Sequence, residues 1–413
     1  MMTKAFDIPK YQVVEAYRLV KANAGAAGID HQSLTEFEAK LKNNLYKIWN
    51  RLSSGSYFPP PVMAVEIPKK SGGVRVLGIP TVSDRIAQMV VKLSFEQQVE
   101  PYFLNDSYGY RPYKSGLDAI GITRKRCWRY DWVLEFDIKG LFDNISHNLL
   151  MKAVEKHTQD KWVKLYIKRW LTAPMVMPNG KTVKRDKGTP QGGVISPVLA
   201  NLFLHYTFDK WMQRKFPRSP WCRYADDGLV HCNSEKEALA IKEALAERLE
   251  ECGLQMHPDK TKIVYCKNSV RKHKHDIIRF DFLGYTFSPR SCKSNNKKFI
   301  GFTPAVSKAA LKSMRNKIKQ SKFQRFSHVS LEELAKTWNP ILRGWHQYYG
   351  KYAPSWLAPI WNYFNLFLMK WAMHKYKKLN SKTKAAKWIE MILLRNPRLF
   401  YHWQLGVGKN FVW

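Results

Sequence analysis

The sequence predicts an α+β protein, on three observations. Several long stretches carry apolar residues at helical spacing, and several short runs, alternating or apolar and bounded by glycine turns, read as strands. The length, 413 residues, is enough to bury a large core and to divide into two or three domains.

Taken in order, residues 11–52 read as two helices broken at 23–30, where Gly25 and Gly28 permit a tight connection. Leu34, Phe37, Leu41 and Leu45 share one helical face in the second. Tyr57-Phe58-Pro59-Pro60-Pro61 is extended and closes the helical region. Residues 64–80 read as a hairpin with a glycine turn, 81–102 as a helix, and 107–112 (Ser-Tyr-Gly-Tyr-Arg-Pro) as a loop. At 132–138 the pattern alternates, with Trp132, Leu134 and Phe136 on one face and Val133, Glu135 and Asp137 on the other. Asp137 thus ends a half-buried strand. Ser146 then caps a helix through Leu149, Leu150 and Val154.

Residues 188–193 (Gly-Thr-Pro-Gln-Gly-Gly) form a glycine-rich loop before a helix with Ser196 as N-cap and Pro197 at its first position. Residues 221–232 hold Asp226-Asp227-Gly228 between two short apolar runs, a tight hairpin in which both carboxylates approach one centre only at the turn. A helix at 234–252 follows, then short strands at 260–265 and 282–287, the last with Gly284 inside it.

Charge narrows the class of partner. Lys and Arg number 69 against 33 Asp and Glu, a formal net of +36, which points to a polyanion. No run of 18 apolar residues exists and residues 1–10 lack the apolar core of a signal peptide, so the expectation is a cytoplasmic protein without a membrane partner. The six cysteines stand singly, with no Cys-x-x-Cys pair, against a disulfide framework or zinc module. From residue 291 to 413 there are 23 Lys or Arg and 3 Glu, a net of +20, and eight of the fifteen tryptophans. Lys308, Lys312, Arg315 and Lys319 form a basic stripe beside an apolar face of Leu311, Met314 and Ile318. Most aromatics between Trp338 and Tyr349 read as helix-packing core.

Each motif has two readings when taken alone. The Asp doublet suits a hard cation or a solvated turn, and Asp137 a metal site or a turn cap at Gly140. Lys69 and Arg75, on the two strands of the 64–80 hairpin, suit a triphosphate or an edge strand protected by charge. Their order along the chain decides. Phe136-Asp137-Ile138-Lys139-Gly140-Leu141-Phe142-Asp143, the loop and helix start from Gly188 to Pro197, Tyr224-Ala225-Asp226-Asp227 and Phe282-Leu283-Gly284 together resemble reverse transcriptases, and among them the group II intron-encoded reverse transcriptase/maturases.

That resemblance implies a right-hand polymerase: N-terminal extension and fingers at 1–125, palm with an antiparallel sheet at 126–290, helical thumb at 291–376, and a small C-terminal RNA/DNA-binding domain at 377–413. It implies an RNA-directed DNA polymerase using two Mg²⁺ ions, or Mn²⁺, held by Asp137, Asp226, Asp227 and the Ile138 carbonyl. Lys69 and Arg75 would sit over the triphosphate, Phe142 beneath the sugar of a deoxynucleotide, Gln191 against the nucleotide, and Lys260 near the departing pyrophosphate as proton donor. The implied partners are an RNA template with a DNA primer, deoxynucleoside triphosphates, a DNA target and a group II intron RNA whose splicing the chain assists. Having neither a His-Asn-His nor a Cys-pair module up to Trp413, it resembles the endonuclease-lacking members. Two further readings share the sequence: a host-adopted enzyme in defence or repair, and an RNA-binding splicing cofactor without polymerase activity. The three carboxylates weigh against the second.

Overall fold

The computed structural model describes residues 4–68, 72–294 and 297–406, and Lys69 lies outside them. The chain separates into two compact units, residues 1–119 with 133–263, and 120–132 with 264–413.

The first unit opens with α1 (Lys10–Asn23), α2 (Leu34–Glu38) and α3 (Leu41–Ser53). Ser33 and Glu36 start α2 with a reciprocal capping box. The second expected helix is therefore two. Lys40 leaves helical geometry at φ −126°, ψ 38°, and the Asn44 side-chain amide donates to the Phe37 carbonyl at 2.9 Å. Next come β1 (Val62–Pro68), β2 (Val74–Ile79) and α4 (Val82–Val99), the last capped by Thr81. After them come α5 (Gly116–Cys127), most of which falls in the second unit, then β3 (Trp132–Phe136), α6 (Leu141–Asn144), α7 (His147–His157) and α8 (Lys161–Thr172). The unit continues with β4 (Met175–Val176), β5 (Thr182–Val183), α9 (Ser196–Leu204), α10 (Lys210–Lys215), β6 (Trp221–Tyr224), β7 (Asp227–Cys232), α11 (Glu235–Glu251) and β8 (Lys262–Tyr265).

Two sheets organise this unit. One has the order β2-β1-β4-β5, with β1 and β2 antiparallel and Ile67 opposite Arg75. The other has the order β6-β7-β3-β8. Its central strand β3 carries Val133, Leu134 and Phe136, all fully buried or nearly so, and it runs directly into Asp137. The alternation expected for this strand is blunted because residues of both parities are covered, as in a sheet packed on both faces.

The second unit contains β9 (Phe280–Phe282), β10 (Tyr285–Ser294) and β11 (Lys297–Val306), then α12 (Lys308–Ser321), α13 (Leu331–Tyr349), α14 (Ala358–Lys375) and α15 (Lys382–Arg395). Two sequence expectations change here. Leu283-Gly284 is no strand interior: φ is 49° and 79°, and the pair makes the turn joining β9 to β10, with Tyr285 opposite Phe282. The stretch read as helical from residue 291 starts instead with the antiparallel β10–β11 hairpin, which runs to Val306.

Among the described residues the C-terminal stretch also has no core to itself. Ala385, Ile389, Leu393, Phe400 and Trp403 belong to one hydrophobic cluster with Met314, Ile318, Trp338, Leu342, Trp361 and Phe364. Trp338 and Leu342 are buried as helix-packing core. Among the described residues no helix is long and apolar enough to cross a membrane.

Candidate active site

The hairpin that carries the Asp doublet turns one residue earlier than Asp-Gly suggests. Tyr224 pairs with Asp227, so Ala225 and Asp226 are the two turn residues, and Ala225 takes φ 56°. Asp227 is the first residue of β7, and Gly228 lies inside the strand. Packing explains that glycine: a Cβ there would stand 2.1 Å from Cζ of Phe136. The ring at the end of β3 therefore packs against the hairpin backbone, next to Asp137 in sequence.

Asp137 leaves β3 with its backbone fixed on both sides. Its carbonyl accepts from His257 N at 2.8 Å, Lys139 N donates to the Gln255 carbonyl at 2.8 Å, and Ile138 bridges Met256. The same 255–260 segment delivers Lys260, whose Nζ donates to Asp137 Oδ2 at 2.6 Å. That contact, before all else, raises the Lys260 pKa.

Asp226 and Asp227 are raised by their acidic neighbours. Burial raises the Asp226 pKa, the charge on Asp137 adds to it, and Lys260 and Arg75 oppose it. Asp227 is pushed up to about 7, first by loss of solvation and then by Asp226 and Asp137, although the residue keeps an open face to solvent. Among the described residues no three His, Cys, Asp or Glu side chains converge closely enough to hold an ion between them, and Asp137 is instead satisfied by Lys260. The donor set is nonetheless chemically apt. Clustered carboxylates short of positive charge are hard oxygen ligands for Mg²⁺ or Mn²⁺.

The glycine-rich loop is clamped from three directions. Thr189 N donates to the Phe142 carbonyl at 2.7 Å, Gly188 N to Ile145 O at 2.7 Å, and Gly78 N to Gln191 O at 2.8 Å. Ser196 is not the N-cap of α9. It is the first helical residue and its hydroxyl bonds to Thr189 Oγ1 at 2.7 Å. The end is satisfied from outside, because Gln88 Oε1 accepts from Val194 N at 2.8 Å and more weakly from Ile195 N. Gln88 is oriented by donating to the buried Asp84 carboxylate at 3.0 Å, which also accepts from Tyr57 and Trp170 at 2.8 Å each.

Of the other expected residues, Phe142 is half-buried on α6, and Gln191 reaches Asp143 only at 3.5 Å. Arg75 is exposed on β2 and close enough to Asp226 to lower its pKa. Sequence reading passed over three residues that the geometry brings to this site. Arg223 is fully buried beneath the turn, paired with Asp209 at 2.7 Å and donating to Ala225 O at 3.0 Å, Asn201 Oδ1 at 3.1 Å and Ser107 Oγ at 2.8 Å. Gln88 is the second. Tyr110, in the loop that Asn201 grips through the Gly109 carbonyl at 2.6 Å, is the third. An arginine three residues before the acidic doublet was the one signal available for the first.

Known proteins can be set beside this geometry. The family profile described as reverse transcriptase (RNA-dependent DNA polymerase) matches residues 67–304, and that of the group II intron maturase-specific domain matches residues 311–388. Protein YkfC of Escherichia coli (strain K12) is 31% identical over 312 residues, which cover 65% of this chain and 80% of YkfC. The group II intron-encoded protein LtrA of Lactococcus lactis subsp. cremoris is 37% identical over 210 residues, 49% of this chain and 34% of LtrA. The chain thus matches only about a third of the LtrA length. Among solved structures, telomerase from Candida albicans, in complex with a fragment of telomeric RNA, aligns with a TM-score of 0.45 at 14% identity, covering 91% of this chain and 68% of that one.

Proposed function

The chain belongs to the reverse transcriptase (RNA-dependent DNA polymerase) family and carries a group II intron maturase-specific domain, and from that premise we propose that it extends a DNA primer on an RNA template. The observation that carries the reading is the approach of Asp137, at a strand end, to Asp226 and Asp227, at a hairpin turn, close enough that its charge raises the pKa of both and that of Asp226 raises Asp227 further. Paired Mg²⁺ ions, when bound by these carboxylates and the Ile138 carbonyl, would supply the positive charge that activates a primer hydroxyl and receives a departing pyrophosphate.

The chain's own residues have distinct tasks in this reading. Arg75, on the first hairpin, and Lys69, which follows β1 in sequence, hold the triphosphate by charge. Phe142 lies under the sugar and disfavours a ribose 2′ hydroxyl, and Gln191, on a loop fixed by Gln88 and Gly78, orients the nucleotide. Lys260 changes role. Its bond to Asp137 makes the ammonium hold its proton more firmly, so it fits a counter-charge to Asp137 better than a proton donor.

We read residues to about 125 as N-terminal extension and fingers, to about 290 as palm, and the rest as thumb with a C-terminal nucleic-acid-binding segment built onto its core. The match to the maturase-specific domain and the net of +20 beyond residue 290 support binding of a folded RNA. A group II intron whose splicing the chain assists is the partner we assign, with a DNA target for mobility. Asp226→Asn tests the polymerase assignment. It should abolish extension of a DNA primer on an RNA template while leaving RNA affinity nearly unchanged, and retained synthesis would refute the metal-site assignment.

A further inference from the structure

The loop before α5 is stitched to the carboxylate hairpin along its backbone. Tyr108 N donates to Arg223 O at 2.8 Å, Arg223 N donates to Asp106 O at 2.9 Å, and Ser107 bridges Arg223 in parallel. Gly109 comes so near that a Cβ on it would stand 2.4 Å from Ala225 N. On the far side Arg111 anchors the loop, bound to Glu100 through Nε and Nη2 and to the Leu104 and Ser107 carbonyls at 2.6 and 2.8 Å.

Between these two anchors stands Tyr110. Its φ is 57°, in the left-handed region that a bulky L-residue enters only at a cost. A glycine or asparagine would relieve that cost if the position served the turn alone. Yet the side chain is 53% exposed, so no apolar core repays the strain. Nor does its hydroxyl hydrogen-bond to any described residue. The ring lies within electrostatic reach of Asp226, Tyr224, Arg75 and Asp227, and its own pKa is raised by burial and by those carboxylates. An aromatic side chain on a strained backbone, anchored on both sides, thus stands beside the acidic turn and within reach of Arg75 on the first hairpin.

Resting on the polymerase reading, we propose that Tyr110 is a positioning residue whose ring packs against the base of the primer's terminal nucleotide. Two considerations favour that occupant. The carboxylates must face the primer's terminal hydroxyl, and the loop is fastened to their hairpin. Every base offers an apolar face to an aromatic ring, so the contact tolerates any sequence.

The test separates the ring from the backbone and from catalysis. The full chain is titrated with two RNA-template/DNA-primer duplexes, one intact and one whose 3′-terminal primer nucleotide is abasic, and affinity is read by fluorescence anisotropy. Tyr110→Ala and Tyr110→Gly should each weaken the intact duplex by about five- to tenfold, within the range for loss of one base-aromatic contact. Neither should matter for the abasic duplex, and Tyr110→Phe should behave as the unsubstituted chain. The glycine variant accommodates φ 57° without strain, so its folding should be at least as stable and its deficit can be laid to the ring. Equal weakening of both duplexes, or a glycine variant that binds the intact duplex normally, would overturn the assignment. Primer extension by the unsubstituted chain is measured alongside. Its absence would sink the polymerase reading, while the binding comparison would still decide the placement of the ring.

Discussion

Arg223 shows what a single residue can fix at this site. A fully buried guanidinium is tolerable only because Asp209, equally buried, supplies the opposite charge and Asn201, Ser107 and Ala225 take its remaining donors. The same side chain holds the carbonyl of the left-handed Ala225, so the position of Asp226 is set from beneath. Arg223→Met should cost roughly 3–5 kcal/mol, the usual penalty for leaving a buried charge unpaired. Arg223→Met with Asp209→Leu should recover most of that in urea denaturation, yet still extend primers slowly because the turn has lost its support. If the double variant is no more stable than the single one, isolation of Asp209 is the wrong cause. Asp227 gives a second prediction, in pH. It binds its proton more tightly in the folded chain, with a pKa of about 7, than in the unfolded one. Its contribution to stability is therefore complete below the ordinary carboxylate range and is lost as pH rises through about 7. With chelator present, the melting temperature should fall from about pH 5 to about pH 8, and Asp227→Asn should flatten that fall. A divalent cation should oppose it by pairing with the ionised cluster, and a melting temperature indifferent to both would remove the electrostatic account.

Between elements, the hydrogen bond that matters most is borrowed. Helix α9 begins without a cap of its own, and Gln88 on α4 serves instead, held in one orientation by Asp84. Gln88→Leu should leave the Val194 and Ile195 amides and one buried Asp84 oxygen unpaired, at about 1–3 kcal/mol. Faster amide hydrogen exchange at Val194 and Ile195 would show the loss directly, and unchanged exchange would mean another group caps the helix. This is also where sequence reading stopped. The loop and the helix start were legible from Gly188 to Pro197, but Ser196 matched the chemistry of an N-cap, and nothing local signals an acceptor 106 residues away. The acidic hairpin was legible for the same reason that its turn was misplaced. Asp-Gly is a strong turn signal, yet Gly228 answers to the Phe136 ring, a contact from another strand. The β10–β11 hairpin was hidden by Pro289, Pro304 and a basic tip, which depress strand propensity. The site carboxylates were legible because their chemistry fixes residue type and order, whereas the residues that position them are chosen by packing.

At the scale of the whole molecule, the net charge of +36 has to find an anion, and the unit that holds α12 to α15 contributes disproportionately to it. Helix α12 shows how charge and core coexist there. Met314 and Ile318 are buried, Arg315 is half-buried, and Lys308, Lys312 and Lys319 are exposed on the other side. A solvated face would look the same in outline, but a nucleic-acid face has a thermodynamic signature. Each phosphate neutralised releases counterions, so log affinity falls with log salt by about 0.7 to 0.9 per contact. If this region engages about six or more phosphates of a structured RNA, the slope should be about −4 or steeper. Deleting residues 377–413 is a poor way to ask, because Ile389, Leu393, Phe400 and Trp403 are core for the neighbouring helices and their loss would unfold the unit. Replacing Lys308, Lys312 and Lys319 together with glutamine removes charge and leaves the buried face alone. The slope should then flatten by about two units, with thermal stability unchanged and with primer extension at low salt preserved. Splicing of a bound intron should suffer more than extension, since it depends on holding a large folded RNA and asks nothing of the carboxylates. A slope that does not move would show that these lysines only keep the chain soluble, and would confine RNA recognition to the remaining basic surface.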